Sequence, residues 1–489
     1  MYSLPQSYNQ TSKCKRCISS NAYSTLKKGL FLIGGLFLGG AVHAQYLRTS
    51  YFMEGASSRL QLNPGLQPSG GYFNIPVLGS FNIGAYSDVL GMSDIVGVLD
   101  SGSDLFTNDD LYGRLKADNR LNVNLNTDIL SFGWYKGKGF WSVNVGLRTD
   151  IGASIPKNMF DYLRDADQFD LSRGTLQGNI TDMNFNVNAY AEVGLGYSRP
   201  VNDKLTVGGR VKVLLGVAHA EMQVDEFAVD MNIPQNPDDP NSWNGTYGGS
   251  TTARAHIMTS IKGGGLSFAD SYDSNGNAIR QIDGFDFDGG GFGIAGTGFG
   301  VDLGASYKLL DNLNLSAAVL DLGFIKWNSN NTTVASVNEN ADVKIDQSNY
   351  QEYLNGDFLN LERFNLAEDK EAASSYKTKL SSTLLLAGEY TFWDNKLSVG
   401  AMYGVHFVQP KALNELTFLA TIRPKSWFNA ALSYSPIQAG GKSFGLALKL
   451  GGLFIGTDYM YFGSNSKAVN GFIGLSIPLG KNKPTDDAI

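Results

Sequence analysis

A chain of 489 residues with 58 Gly, 23 Tyr and 28 Phe, 17% charged side chains and a net charge of -7 is rich in aromatic and turn residues and poor in solvating charge. Its mean hydropathy is only -0.14, and it has no run of about 18 apolar residues, which excludes a bundle of membrane-crossing helices and leaves strands as the means of spanning a bilayer. The acidic balance argues against nucleic acid as a partner, and the lack of a Pro/Ser-rich linker or a composition shift argues for one large unit.

At the N-terminus, Lys27 and Lys28 precede an apolar run from Gly29 to Gly40, followed by Ala41, Val42, His43, Ala44 and Gln45. A basic region, a short apolar core and small residues at 42 and 44 predict a secretory signal peptide over residues 1–44, cleaved before Gln45. Cys14 and Cys17 would leave with it. The mature chain would then carry no cysteine, which excludes disulfides and thiol catalysis.

Residues 45–71 read as a short plug-like segment. From Tyr72 to Leu479 the pattern is period-two alternation punctuated by turn residues, the signature of strands with one apolar face. The clearest hairpin turns at Lys136 to Gly139. Pairing Tyr135 with Phe140 puts Trp134 opposite Trp141, Phe132 opposite Val143 and Leu130 opposite Val145, with a change of phase near Asp128 and Ile129 that predicts a β-bulge. Similar runs follow at Val187 to Ser198 with a partner from Lys204, Phe299 to Leu309 with Leu313 to Ile325, and Leu380 to Trp393 with Lys396 to Val408. Leu416 to Arg423 with Trp427 to Ser435, Ser443 to Gly451 with Leu453 to Phe462, a first strand at Tyr72 to Ala85 and a last at Asn470 to Leu479 complete the set.

The expectation is an all-β fold, an antiparallel transmembrane β-barrel of about fourteen strands. Short and long connections alternate. The longest are Asp225 to Gly298 and Lys326 to Lys379, with short helices expected at Ile155 to Arg164 and Tyr350 to Leu361. This alternation predicts long outer loops, both termini in the periplasm and a polar tail over 480–489. The barrel wall would face outer-membrane lipid.

The face opposite the apolar one carries Arg148, Glu192, Arg210, Lys212, Asp302, Lys308, Glu389, Lys449 and Asp458, a mixed set that does not describe an ion-selective pore. If Ser198 pairs with Lys204, Glu192 falls opposite Arg210, a lumen charge pair that either braces the wall or contacts a ligand. His219, His256 and His406 sit in no nucleophile motif and lack metal-ligand spacing. The run Asp273 to Asn277 fails as a calcium loop, since Ser271 and Ile282 stand where acidic ligands belong, and Asn275-Gly276 reads as a hairpin turn. No catalytic, cofactor-binding or metal-binding set is expected, and the chain reads as a non-enzyme.

The stretch Ser58 to Leu66, SRLQLNPGL, resembles the Asn-Pro-Ala-Gly-type element near the mature N-terminus of the long-chain fatty-acid transporter (FadL/TodX) superfamily. YFMEGASSRLQLNPGL, GGYFNIPVLGSFNIG, SIPKNMFDYL and GVDLGASYKLLDNLNLSAAVLDLGFIKW together resemble an uncharacterised family of Bacteroidota outer-membrane barrels. The resemblance implies a plug motif at Asn63 and Pro64, with Gly65 where Ala is usual. It also implies either passage of small hydrophobic compounds or an accessory barrel that binds an outer-membrane or secretion partner. A lateral opening beside the plug with an apolar pocket behind it would favour the first; a sealed wall and a filled polar lumen would favour the second. Membrane-extracted protein should show heat-modifiable migration and an N-terminus at Gln45; a single temperature-independent band with an intact leader would overturn both expectations.

Overall fold

The computed structural model describes residues 48–482, apart from 55, 77–78, 92–93, 95–107, 168–173, 237, 273–276, 287–292, 351–365, 408–411, 439–440 and 461–466. The signal peptide, the Asn275-Gly276 turn, the Tyr350 to Leu361 helix beyond Tyr350 and the tail beyond Asn482 lie outside these residues. No helix among those described is long and apolar enough to cross a membrane.

The wall begins with β1 (Gly70–Asn74) and β2 (Phe81–Ser87), two pieces of one stave, and continues through β3 (Asp118–Lys136), β4 (Gly139–Pro156), β5 (Thr175–Pro200) and β6 (Leu205–Asn232). Next come β7 (Tyr247–Ile261), β8 (Gly265–Tyr272) and β9 (Ala278–Asp286), which belong to no stave, and the wall resumes with β10 (Gly296–Leu310) and β11 (Leu313–Trp327). After β12 (Thr332–Ile345) and β13 (Ala367–Glu368), β14 (Tyr376–Lys379) and β15 (Ser382–Phe392) form one stave between them. β16 (Leu397–Phe407), β17 (Leu413–Lys425), β18 (Phe428–Ile437), β19 (Ser443–Leu450), β20 (Leu453–Met460) and β21 (Ala468–Asn482) complete the circuit.

Every stave is antiparallel to its neighbours, and β21 pairs with both β1 and β2, so the fourteen staves close into a ring. Closure is what a bilayer demands, because an unpaired edge in hydrocarbon leaves several kcal/mol of polar backbone unsatisfied per group. The hairpin of β3 and β4 has Trp134 opposite Trp141 and Phe132 opposite Val143, with its register shift between Asp128 and Leu130 and Gly137 at φ 60 in the turn.

Side chains sort by parity. Val193, Leu195, Val211, Val213, Leu303, Leu386 and Leu432 stand on the outside, while Glu192, Arg210, Lys212 and Asp302 are buried within. The exterior is fringed near the short turns by Trp134, Tyr197, Tyr390, Phe392 and Trp427, and near the long connections by Phe324, Phe407 and Phe444. These are the aromatic girdles of a membrane-facing wall.

Three expectations need correction. The first stave is interrupted, since Asn74 pairs with Ser131 and Ser476, whereas Phe81 pairs with Thr127 and Ile473. The chain between is longer than either neighbouring strand can match, and Pro76, which lacks a backbone donor, sits within it. Second, the regions after Asp225 and Lys326 are largely sheet, not loop. β6 pairs with β7 and β7 with β12 beyond the ring, β13 bridges β12 to β9, and the β8–β9 hairpin folds over this sheet on Ile257, Leu266, Ile282, Ala335 and Val337. Third, the helix after β4 is α3 (Lys157–Asp167), because β4 runs on to Pro156; α1 (Arg59–Leu62) and α2 (Asp109–Arg114) precede it. Tyr162 of α3 packs on Phe227, Val229 and Met231, strand residues beyond the ring.

Placing a charge on the membrane face should cost far more than on the outer sheet. Leu195→Arg is expected to destabilise the barrel by about 2–4 kcal/mol in reversible unfolding from vesicles. Tyr272→Arg, at an exposed hairpin end, should stay within about 0.5 kcal/mol.

Candidate functional site: the plugged lumen

The segment from Arg48 to Gln67 lies inside the ring. It is a succession of tight turns, with the N–H groups of Tyr51, Met53, Ala56, Arg59 and Leu60 each donating to the carbonyl three residues earlier, and α1 adds one helical turn. Such turns satisfy the backbone locally, as a strand buried alone in a lumen could not. Tyr51, Phe52, Met53, Ala56, Leu62 and Leu66 pack into a core with wall residues Leu320, Leu385, Met402, Leu419, Phe454 and Phe472.

The start of the segment is fastened by charge. The backbone N–H groups of Arg48 and Thr49 donate to the two carboxylate oxygens of Asp458 at 3.1 and 2.8 Å, and Thr49 Oγ1 adds a bond of 2.8 Å. Arg48 Nη1 lies 3.5 Å from Glu415 Oε1 and donates to Ser435 Oγ at 3.2 Å, with the guanidinium 4.6 Å over the Tyr459 ring. Burial alone would lower the Arg48 pKa, but Glu415, with Tyr459 and Asp458, outweighs it and raises the pKa, so the group stays cationic. Farther on, Arg423 Nη1 donates to the Phe52 carbonyl at 3.1 Å while its Nη2 meets Glu389 at 2.7 Å, and Asn429 donates to the Glu54 carbonyl at 3.2 Å.

Asn63 organises the second half. Its Oδ1 accepts from Gly65 N at 2.8 Å, and its Nδ2 donates to Tyr51 Oη at 3.0 Å and to the carbonyls of Ala317 and Ala305 at 3.2 and 3.3 Å. Pro64 presses on Gly208 and Gly304, where a Cβ would overlap Pro64 or Asn63. A Cβ on Gly65 would meet Ala305 Cα at 2.8 Å, so the close approach of the plug to β10 requires glycine here.

Beyond the plug, a belt of charge runs across β3, β4, β5, β6, β10 and β11. Arg148 bridges Asp128 at 3.1 Å and Glu192 at 2.6 Å, Asn144 donates to Glu192 at 2.8 Å, and Asp302 holds both Arg210 at 2.6 Å and Lys212 at 2.7 Å. Asp321 pairs with Lys212 from a bulge, its φ of 58 presenting its N–H to Asp302 at 2.7 Å. Sign alternates from β3 to β10, so each buried ion offsets its neighbour, and the two acids Asp302 and Asp321 on β10 and β11 share Lys212.

The expected register of β5 on β6 is wrong by four residues. Ser198 pairs with Gly208, not Lys204, because Asn202 Oδ1 accepts from the N–H groups of Lys204 and Leu205 and holds the chain up to Lys204 in the turn. Glu192 therefore faces Leu214. Its side chain still comes within 4.0 Å of Arg210, inside a network centred on Arg148 and Asp302. Lys308, expected in the lumen, lies exposed near the short turn and pairs with Asp311 at 3.1 Å. His219 is stacked on Trp327 and bonded to Tyr376 Oη at 2.6 Å, while His406 lies 3.3 Å from Glu415. His256 lies on β7, outside the ring. No group of His, Cys, Asp and Glu able to hold a metal occurs among the described residues.

A cavity of about 10 Å³ lies between α1 and the wall, lined by Leu60, Tyr72 and Phe140 on one side and Asn144, Ser198 and Arg210 on the other. It has room for about one water. The sequence gives no sign of Arg48, Thr49, Asp128 or Asp321 as partners of these groups; small lumen-side residues such as Gly208 and Gly304 were the one hint that another chain approaches closely.

A family model described as "Family of unknown function (DUF5723)" matches residues 64–458. The chain belongs to this DUF5723 family. Among curated proteins, none matches it. Solved structures similar to this DUF5723 barrel include the Ralstonia pickettii toluene transporter TbuX, at 12% identity and TM-score 0.40, covering 90% of this chain and 96% of that one. The Pseudomonas putida toluene transporter TodX shares 10% identity at TM-score 0.35, covering 89% and 94%. A Pseudomonas aeruginosa FadL homologue shares 10% at 0.34, covering 89% and 99%.

Removing the central cation of the belt should be severe. Arg148→Met leaves Asp128 and Glu192 short of their nearest partner and is expected to destabilise the barrel by about 3–5 kcal/mol, read from urea midpoints at constant slope.

Proposed function

We propose that this chain is a non-enzymatic outer-membrane barrel, with both termini in the periplasm, that passes small hydrophobic compounds by way of its plugged lumen. The observation that carries this reading is the break between Asn74 and Phe81, which lies against the plug. Ser57 Oγ donates to Asn74 at 2.9 Å, and the Ser80 carbonyl accepts from Asp128 N at 2.9 Å, beside the side chain that Gln61 of the plug bonds. A separate segment inserted into a ring can leave it, whereas wall side chains cannot, and the interruption of regular pairing between Asn74 and Phe81 is where a route sideways into lipid would form.

A second reading, an accessory barrel for another outer-membrane or secretion protein, draws on the filled lumen, where the cavity beside α1 has room for about one water, and on the sheet beyond the ring. β7, β8, β9, β12 and β13 have their own packed cores, far more structure than closing a barrel needs.

The two readings part in one experiment. Cells making the protein should take up a labelled monoaromatic hydrocarbon faster than cells lacking it. Oxidising a Ser57→Cys, Asn74→Cys pair, free of competition in a mature chain without cysteine, should stop the gain and a reductant should restore it. Uptake equal with and without the protein, together with a stoichiometric outer-membrane partner on gentle extraction, would decide for the accessory role.

A further inference from the structure

The lipid-facing side of β11 and β14 carries a cluster of cations with no anion to match it. Lys326 stands directly opposite Lys377, and Phe324 directly opposite Lys379, at the rim nearest the long connections. This is the outer face, since Lys326 keeps the parity of the exposed Leu322 and Phe324, whereas Ile325 and Trp327 are buried. All three lysines are exposed, and Lys377 Nζ lies 4.5 Å over the Phe324 ring. On the other flank, β10 places Thr297 beside Lys326 and Phe299 beside Phe324.

Like charges on directly paired positions stand about 4.5–5.5 Å apart at Cβ and destabilise a sheet. At the edge of hydrocarbon, where water screens less, the repulsion grows. Other cations of this barrel have acids beside them: Lys308 meets Asp311 at 3.1 Å, and Arg280 meets Glu368 at 2.7 Å. Among the described residues no carboxylate pairs with Lys326, Lys377 or Lys379. A single lysine at this level needs no partner, since its stem lies along apolar surface and its head reaches water. Two face to face, with a third on the diagonal, repel one another unless an anion sits between them.

We infer that Lys326, Lys377 and Lys379 bind the phosphate of an anionic lipid in the outer leaflet, whose acyl chains descend over Phe299, Phe324 and Leu322. A phosphate monoester presents three strong acceptor oxygens, which converts the repulsion into shared charge-assisted hydrogen bonds. The apolar wall below decides for a lipid over a soluble anion, because Phe299 and Phe324, 49% and 39% exposed, and Leu322 lie where its chains would run. The inference rests on the outward facing of the long connections proposed above, and is independent of what the lumen passes.

Native mass spectrometry of the full-length protein in neutral detergent reads this site without reference to uptake or orientation. Diphosphoryl lipid A should be retained in preference to phosphatidylcholine, and inorganic phosphate should not displace it. Lys326→Gln should weaken retention about fivefold, and Lys326→Gln with Lys377→Gln about twenty-five-fold. Lys308→Gln, at the opposite rim, should leave it unchanged. Without anionic lipid, Lys326→Gln should raise the melting temperature by relieving the repulsion; with saturating lipid A the same variant should melt below the unsubstituted protein. A lysine that merely reaches for water would show no such reversal. Should the double variant fail to refold, Lys326→Gln alone carries both measurements. Equal retention of the two lipids, undiminished binding by Lys326→Gln, or displacement by inorganic phosphate would count decisively against the inference.

Discussion

The closed ladder governs everything else in this molecule. A bilayer offers no hydrogen-bond partner, so β21 must return to β1 and β2, and every stave must present apolar side chains outward. Polar and charged residues on the alternate positions are thereby forced inward, where they need partners of their own. The belt from Asp128 to Asp321 and the ions around Arg48 are the two solutions to that problem. The first pairs its ions within the wall, with Gln61 of the plug adding a bond to Asp128; the second needs the plug for its cation.

The plug therefore completes the wall on one side and merely fills it on the other. Around β17 and β20, Glu415 and Asp458 would be buried acids without the Arg48 side chain and the N–H groups of Arg48 and Thr49. Around β6 and β10, glycines let the chain come within backbone contact, and shape replaces charge. The break in the first stave lies where Ser57 of the plug meets Asn74, several staves from this glycine seat.

Above the ring, β5 and β6 extend well beyond the ~9–11 residues a tilted strand needs to cross hydrocarbon. Their continuation recruits β7 and β12, and the β8–β9 hairpin folds back to cover the sheet. The same strands thus serve two solvents, with a polar lumen side below and a packed soluble core above.

Alternation, turn residues and aromatic fringes made the barrel and its fourteen strands legible in the sequence, because membrane and lumen impose a period of two that needs no distant information. The β3–β4 register was legible as well, since one short turn and matched aromatics fix it. The β5–β6 register was not, because Asn202 enlarges the turn and nothing in the alternation marks four extra residues. Strands beyond the membrane escaped too: their turns are long and their partners, such as β7 and β12, lie far apart in the chain. Asn63, Pro64 and Gly65 stood out as a motif, but only the tertiary structure decided that Gly65 must lack a Cβ. It also decided that Glu192 answers chiefly to Arg148 and that Asp458 holds the start of the plug. Parity places a residue on a face, whereas its partner across a closed ring depends on shear, bulges and the path of a segment threaded through the middle.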